Sequence, residues 1–225
     1  MKSILFDFGG TIDTDGVHWS EKYWELYERF RTGIPKPEFE RSFVQSEGEL
    51  LADDELPTST FFRTLQKQLT LQFRILGLDV QSDLLPKMVD ACYEDVKQTI
   101  GGARNILAGL RKKYVLGVVS NFYGNLEIVC KEFKLDGLFD ARIDSSVVGV
   151  RKPDPEIFLL ALRQLKADPS TSFVVGDSYE RDIVPAKQAG CRTIWLKGKS
   201  WTIPTSTGAA DYTVLKFREI VSILK

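Results

Sequence analysis

The period of hydrophobic and polar positions changes twice along this chain. Residues 3–8 form a short apolar run that carries a carboxylate, Asp7, into the pair Gly9-Gly10, and they read as a buried strand ended by a sharp turn. From residue 19 to about 30, apolar side chains recur at helical spacing: Trp19, Tyr23, Leu26, Tyr27 and Phe30, with Glu and Lys between them. Phe61, Phe62, Leu65, Leu69 and Phe73 predict another helix, closed near Gly77. Leu84, Leu85, Met88, Val89 and Cys92 predict one more. Pro35, Pro37 and Pro57 are expected to cut the stretch between into short pieces. No β-branched run lies between Gly16 and Thr99, so this whole block is expected to be helical.

After Gly101-Gly102 the pattern alternates. A helix over 103–111 precedes a strand over 115–119, a helix over about 126–133 and a short extended segment over 141–143. Asp154 and Pro155, an N-cap residue followed by proline at the first helical position, open the next helix. A strand over 172–175, a helix over 180–189, a strand over 192–196 and a strand–helix pair over 212–224 complete the series. Such alternation predicts the α/β class, with a Rossmann-like, doubly wound parallel sheet. The first strand belongs to that sheet although the helical block interrupts the order. The expected organisation is a core of residues 1–15 and 100–225, with a helical cap domain of residues 16–99 inserted after the first strand.

Asp7, Ser120 and Asp177 each fall at the C-terminal end of a predicted strand, the edge where open α/β sheets bind ligands. Lys152 lies in a loop before a helix, and the insertion leaves from the same edge, where it would act as a lid. Asp15-Gly16 and Gly101-Gly102 are its expected hinges.

Bulk properties narrow the partners. The formal net charge of −1 supplies no general attraction to nucleic acid or anionic lipid, so neither nucleic acid nor membrane is an expected partner. Cys92, Cys130 and Cys191 are odd in number and widely spaced, which fits buried thiols in a reducing compartment rather than a zinc or redox motif. The first apolar run is too short for a signal peptide or membrane span, and a cytoplasmic location is expected.

The residues gathered at the sheet edge suit phosphoryl transfer. Asp7 is the expected nucleophile: a carboxylate attacking phosphorus splits hydrolysis into two displacements through an acyl phosphate. Repulsion between the two anions calls for a hard divalent cation with oxygen ligands, here Mg2+ held by Asp7 and Asp177, with Asp182 in support. Lys152 offers a fixed positive charge to both Asp7 and the phosphate. Ser120, Asn121 and the backbone N–H groups at Gly10 and Thr11 can bind phosphoryl oxygens. The expected partner is therefore a small phosphorylated metabolite.

Four segments in order resemble the haloacid dehalogenase-like hydrolases, in their branch with a helical cap after the first motif. These are Asp7-Phe8-Gly9-Gly10-Thr11, Val118-Val119-Ser120-Asn121, Gly149 to Phe158 with Lys152-Pro153-Asp154-Pro155 at its centre, and Gly176-Asp177-Ser178 through Asp182. The resemblance spans nearly the whole chain. It implies a Rossmann-like core with a mobile cap and a magnesium-dependent phosphatase acting on small phosphorylated metabolites. It also implies that Gly9 gives the metal a backbone carbonyl.

One position departs from the family pattern. Phosphatases of this kind carry an acid–base aspartate two residues after the nucleophile, and here that residue is Gly9. General acid–base help is worth roughly 10²–10⁴-fold, so alkyl phosphates would be hydrolysed slowly unless another group serves. Asp13, Asp15 and His18, at the entrance to the helical block, are the available substitutes. Three alternatives share the same departure. Metal-independent 2-haloacid dehalogenases lack this aspartate but usually also lose the acids that Asp177 and Asp182 preserve. Phosphonate hydrolases keep magnesium and need a cap lysine, for which Lys67, Lys87 and Lys97 are available. A non-enzyme would bind a phosphorylated ligand without turnover.

Overall fold

The computed structural model describes residues 2–202 and 204–224. Its centre is a six-stranded, all-parallel sheet made of β1 (Ser3–Phe6), β2 (Val115–Ser120), β3 (Ala141–Asp144), β4 (Ser172–Gly176), β5 (Arg192–Leu196) and β6 (Tyr212–Val214). The spatial order is β3-β2-β1-β4-β5-β6, so the chain winds outward from β1 in one direction and then, at β4, in the other. This reversal creates a crevice at the carboxyl ends of β1 and β4. Register is in step: Phe6 lies beside Val118 on one flank and Val175 on the other, which brings the ends of three strands level.

Alternation along the strands builds two cores. Ile4 and Phe6 of β1 face one side with Leu116, Val118, Phe173 and Val175, while Leu5 faces the other with Val119, Val174 and Ile143. The second face is covered by α7 (Glu156–Leu165) through Ile157, Phe158, Ala161 and Leu162. The helix starts one residue later than its sequence predicts, with Pro155 at the N-cap and Asp154 just before it, although Asp154 Oδ1 still accepts from Glu156 N at 2.9 Å. Among the described residues, no helix is long and apolar enough to cross a membrane, and all three cysteines are buried free thiols.

Between β1 and β2 the chain forms α1 (Trp19–Arg29), α2 (Lys36–Leu51), α3 (Phe61–Ile75) and α4 (Leu84–Leu110), with a 3-10 turn at Leu56–Thr58. The block is helical throughout, as its periodicity predicts. Its details differ in two places. Prolines do not fragment the second segment: Pro35 precedes α2 and Pro37 lies in its first turn, where a missing N–H costs no hydrogen bond. Gly101-Gly102 does not separate two helices, because α4 runs through both glycines for 27 residues. Its buried stripe of Met88, Val89, Cys92, Val96, Ile100, Ala103 and Leu107 keeps helical phase across the pair. Burial of that stripe offsets a propensity cost of about 1 kcal/mol per glycine.

Smaller corrections concern the ends of elements. β1 stops at Phe6 rather than residue 8, although Asp7 N still donates to Val175 O at 2.9 Å. The helix expected over 180–189 begins as a π turn, Tyr179–Ile183, before α8 (Val184–Gln188). Pro185, in the first turn of α8, has no N–H to donate back toward the π turn, and Asp182 Oδ2 accepts from Ser178 N at 3.0 Å. The remaining helices are α5 (Leu126–Glu132), α6 (Ser145–Val148) and α9 (Ile220–Ile223); α6 has no counterpart in the periodicity. It is short and starts at Asp144, whose side chain accepts from Ser146 N.

The helical block rests on the sheet end through both apolar and polar contacts. Phe8 packs edge-on against Phe61 and Phe122, and Trp19 stacks beside Tyr23 and Phe61. Glu132 of α5 accepts from Phe61 N at 2.6 Å and from Tyr93 OH at 2.9 Å, tying α3 and α4 to the sheet side. Asn125 Nδ2 donates to Ser59 O and Thr64 Oγ1 at the same junction.

Candidate active site

Asp7 leaves the end of β1 with its carboxylate buried and fully engaged. Oδ1 accepts from Lys152 Nζ at 2.5 Å and Ser120 Oγ at 3.3 Å, and Oδ2 accepts from Thr11 Oγ1 at 3.1 Å. Lys152, itself 4% exposed, also donates to Asp182 Oδ1 at 2.6 Å. Asp177, half-buried at the end of β4, lies 3.3 Å from Thr11 Oγ1 through Oδ1, while its own backbone N–H donates to that hydroxyl at 3.1 Å. Asp7, Asp177 and Asp182 each present a carboxylate oxygen within 4.8 Å of the others. Four segments far apart in sequence thus meet at one point, as the motif order predicts.

Backbone fit explains two glycines in this cluster. A Cβ at Gly10 would lie 2.4 Å from Asp177 Oδ2, and Gly10 has a φ of +92°. A Cβ at Gly176 would lie 2.4 Å from the Cβ of Asp182. Gly10→Ala is therefore expected to destabilise the protein by about 1–3 kcal/mol, since left-handed backbone and steric overlap coincide. Displacing Asp177 should also cost roughly 100-fold in turnover. Urea unfolding together with steady-state rates checks both, and an Ala variant with native rates would remove the close packing from any role in the site.

Each remaining residue singled out by the sequence has a defined place. Asn121 pairs with the Lys152 backbone twice, its Nδ2 donating to Lys152 O at 2.9 Å and its Oδ1 accepting from Lys152 N at 2.8 Å. It thereby holds the loop that delivers the lysine. Gly10 N donates to Asp13 Oδ1 at 2.7 Å, and the Thr11 hydroxyl bridges Asp7 and Asp177, so both brace the first loop in this state. Gly9 is partly exposed, and a Cβ there would sit at ordinary contact distance from Trp19.

Supporting residues outside the motifs also emerge. Asp144, buried at the end of β3, accepts from Gly124 N, Leu126 N and Ser146 N, and so shapes the loop after Ser120. Trp195 Nε1 donates to Asp177 O at 2.9 Å. Glu47 of α2 accepts from Tyr123 OH at 3.0 Å, linking the helical block to the same loop. The sequence carried a signal only for Asp144: an acid at the end of an extended segment followed by Ser-Ser is an N-cap pattern.

Electrostatics in this pocket are unbalanced. Burial, then the charges of Asp7 and Asp182, hold the Asp177 carboxyl well above the usual range. Burial likewise pushes Asp182 up to about 6, against the opposing pull of Lys152. For Lys152 burial favours the neutral amine, yet Asp182 and Asp7 outweigh it and raise the ammonium above its ordinary value. Three acids share one lysine. An all-oxygen cluster with surplus negative charge is a donor set that suits a hard divalent cation.

Known proteins resemble the chain in sequence and in fold. The family model described as haloacid dehalogenase-like hydrolase matches residues 1–190. The chain is 28% identical over 241 aligned positions to the glyceraldehyde 3-phosphate phosphatase of Pyrococcus furiosus, spanning 100% of this chain and 93% of that protein. It is 34% identical over 222 positions to the rhythmically expressed gene 2 protein of Drosophila melanogaster, spanning 89% and 85%. The crystal structure of a HAD phosphatase from Thermococcus onnurineus superposes with a TM-score of 0.59 at 24% identity, covering 100% of this chain and 98% of that one. With four motif segments converging on one carboxylate and a family match over most of its length, the chain belongs to the haloacid dehalogenase-like hydrolases.

Proposed function

We propose that this protein is a magnesium-dependent phosphatase of small phosphomonoesters that works through an aspartyl-phosphate on Asp7. The observation that carries this reading is the Asp7 carboxylate held at 2.5 Å by buried Lys152, with the oxygens of Asp177 and Asp182 within 4.8 Å. A similar protein named as a glyceraldehyde 3-phosphate phosphatase, matched over 93% of its length, adds support for a phosphate ester as substrate.

Asp7, Asp177 and the Gly9 carbonyl would hold the ion, with Asp182 behind them because both its oxygens already serve Lys152 and Ser178 N. Bound magnesium would neutralise the acids and the phosphoryl group so that the two anions can approach. Lys152 and Ser120 point at Asp7 Oδ1, so Oδ2 is the oxygen placed to attack once Thr11 yields. Lys152 then lies beside both nucleophile and transferred group, and catalysis is chiefly positioning and charge.

The helices α1 to α3 with the first part of α4, residues 16–99, serve in this reading as a cap over the site, and residues 1–15 and 100–225 as the core. Because α4 crosses the border unbroken, movement of the cap would bend or pivot that helix rather than swing on a loop.

A panel of glyceraldehyde 3-phosphate, glycerol 3-phosphate, a nucleoside 5'-monophosphate and p-nitrophenyl phosphate, with magnesium or with EDTA, tests the reading. Phosphate release that needs magnesium is expected. Hydrolysis of chloroacetate in EDTA would replace it with dehalogenation, and saturable binding of these esters without release would make the protein a phosphate-ligand binder.

A further inference from the structure

The first loop holds a second buried carboxylate. Asp13 is 1% exposed; its Oδ1 accepts from Gly10 N at 2.7 Å and its Oδ2 from Trp19 Nε1 at 2.9 Å. The same indole edge faces position 9, since a Cβ on Gly9 would lie 3.5 Å from Trp19 Cδ1 and 3.6 Å from Trp19 Nε1. The space that a side chain from position 9 would enter therefore already borders an N–H group carrying a carboxylate from position 13.

Asp15 is committed elsewhere, and one ring nitrogen of His18 is taken by a helix cap. Asp15 accepts from Phe217 N at 2.7 Å and pairs with Lys216 at 3.3 Å, on the side of the sheet next to α9. His18 Nδ1 accepts from Ser20 N at 3.2 Å and so caps α1.

Building on the phosphatase reading, we propose that Asp13 is the acid–base residue of this enzyme, delivered to the place left empty by Gly9, with Trp19 as its positioning residue. In the first displacement Asp7 Oδ2 bonds to phosphorus, the bond from phosphorus to the leaving oxygen breaks, and that oxygen takes the proton of the Asp13 carboxyl. In the second, the Asp13 carboxylate takes a proton from water as its oxygen bonds to phosphorus. The bond to Asp7 then breaks, and inorganic phosphate and the starting enzyme are restored.

Electrostatics fits the assignment. Burial, chiefly, and the charge of Asp7 push the Asp13 carboxyl up to about 7, against hydrogen bonds from Gly10, Trp19 and Thr14. Asp177 from the β4 end and Cys92 from α4 also feel its charge. A group poised near neutrality can both give and take a proton.

The test compares Asp13→Asn with wild type in magnesium, on p-nitrophenyl phosphate and on the alkyl esters of the panel above. Alkyl turnover should fall by about 10²–10⁴-fold. The first equivalent of p-nitrophenol should still appear in a burst within about tenfold of the wild-type rate, since that leaving group needs little protonation, followed by slow release. In the double variant Asp13→Asn/Gly9→Asp, alkyl turnover should recover at least tenfold over the single variant, which a folding defect at residue 13 would not allow. Alkyl turnover within threefold of wild type in Asp13→Asn overturns the assignment. So does an equal loss of burst and alkyl turnover, or a double variant as slow as the single one. Failure of the phosphatase reading itself looks different: wild type would then release phosphate from none of the esters.

Discussion

Asp7→Asn is expected to remove at least about 10⁴-fold of turnover on every phosphate ester while leaving the fold intact. Asparagine keeps the shape of the side chain, with its oxygen facing Lys152 and Ser120 and its NH2 facing the Thr11 hydroxyl, which can accept from it. What it loses is the anionic oxygen that attacks phosphorus. One of three crowded carboxylates also disappears while Lys152 retains Asp182, so the melting temperature should change little. Steady-state release of p-nitrophenol, with acid quenching of labelled enzyme to look for an aspartyl-phosphate, checks the expectation. A residual rate within tenfold of wild type would move the nucleophile away from Asp7.

Lys152→Met should damage both stability and chemistry, and the two can be read separately. It leaves the acids Asp7, Asp177 and Asp182 together without their buried cation. Removing one partner of a buried ion pair costs about 3–5 kcal/mol, to be measured in urea without magnesium at neutral pH. The pH dependence has a definite sign. Asp177 and Asp182 already have folded-state values above their unfolded ones, and loss of the lysine that lowers them raises them further. The folded variant then binds more protons than the unfolded chain above about pH 4, so its deficit grows as pH rises toward neutrality and narrows in acid. Lys152 itself has a raised value, so its contribution in the wild type is not lost until alkaline pH. Magnesium should recover part of the stability, because it neutralises the same acids. It should not recover turnover, which lacks the charge beside the transferred group and should remain roughly 10²–10³-fold down. A variant as stable as wild type at pH 7.5 in EDTA would show that the acids do not depend on this lysine.

Much of the fold was legible because its signals are local. Short apolar or extended runs and helical spacing of aromatic residues need only neighbours along the chain, and they placed all six strands and the helical insertion. The departures came from packing across the molecule in one case and from position or side-chain contact within a single turn in the others. Gly101-Gly102 reads as a break by propensity, but the apolar stripe of α4 stays in phase against the sheet and the other helices. Pro37 reads as a breaker, but its position in the first turn makes it harmless. The π turn at Tyr179–Ile183 answers to Asp182 reaching back to Ser178 N, a contact that no window of hydropathy encodes.

By itself the sequence determined the class of fold, the four motif segments and the loss of an acid at position 9, because residue types in order are enough for these. Only the tertiary structure decided which residues serve one another. It turned Asn121 to the backbone of Lys152, set Gly10 and Thr11 to brace the first loop, and sent Asp15 to Lys216 while giving Asp13 to Trp19. Hydrogen bonds and burial depend on distances between segments that lie up to 202 positions apart, as Asp15 and Phe217 do, and spacing along a chain does not contain those distances.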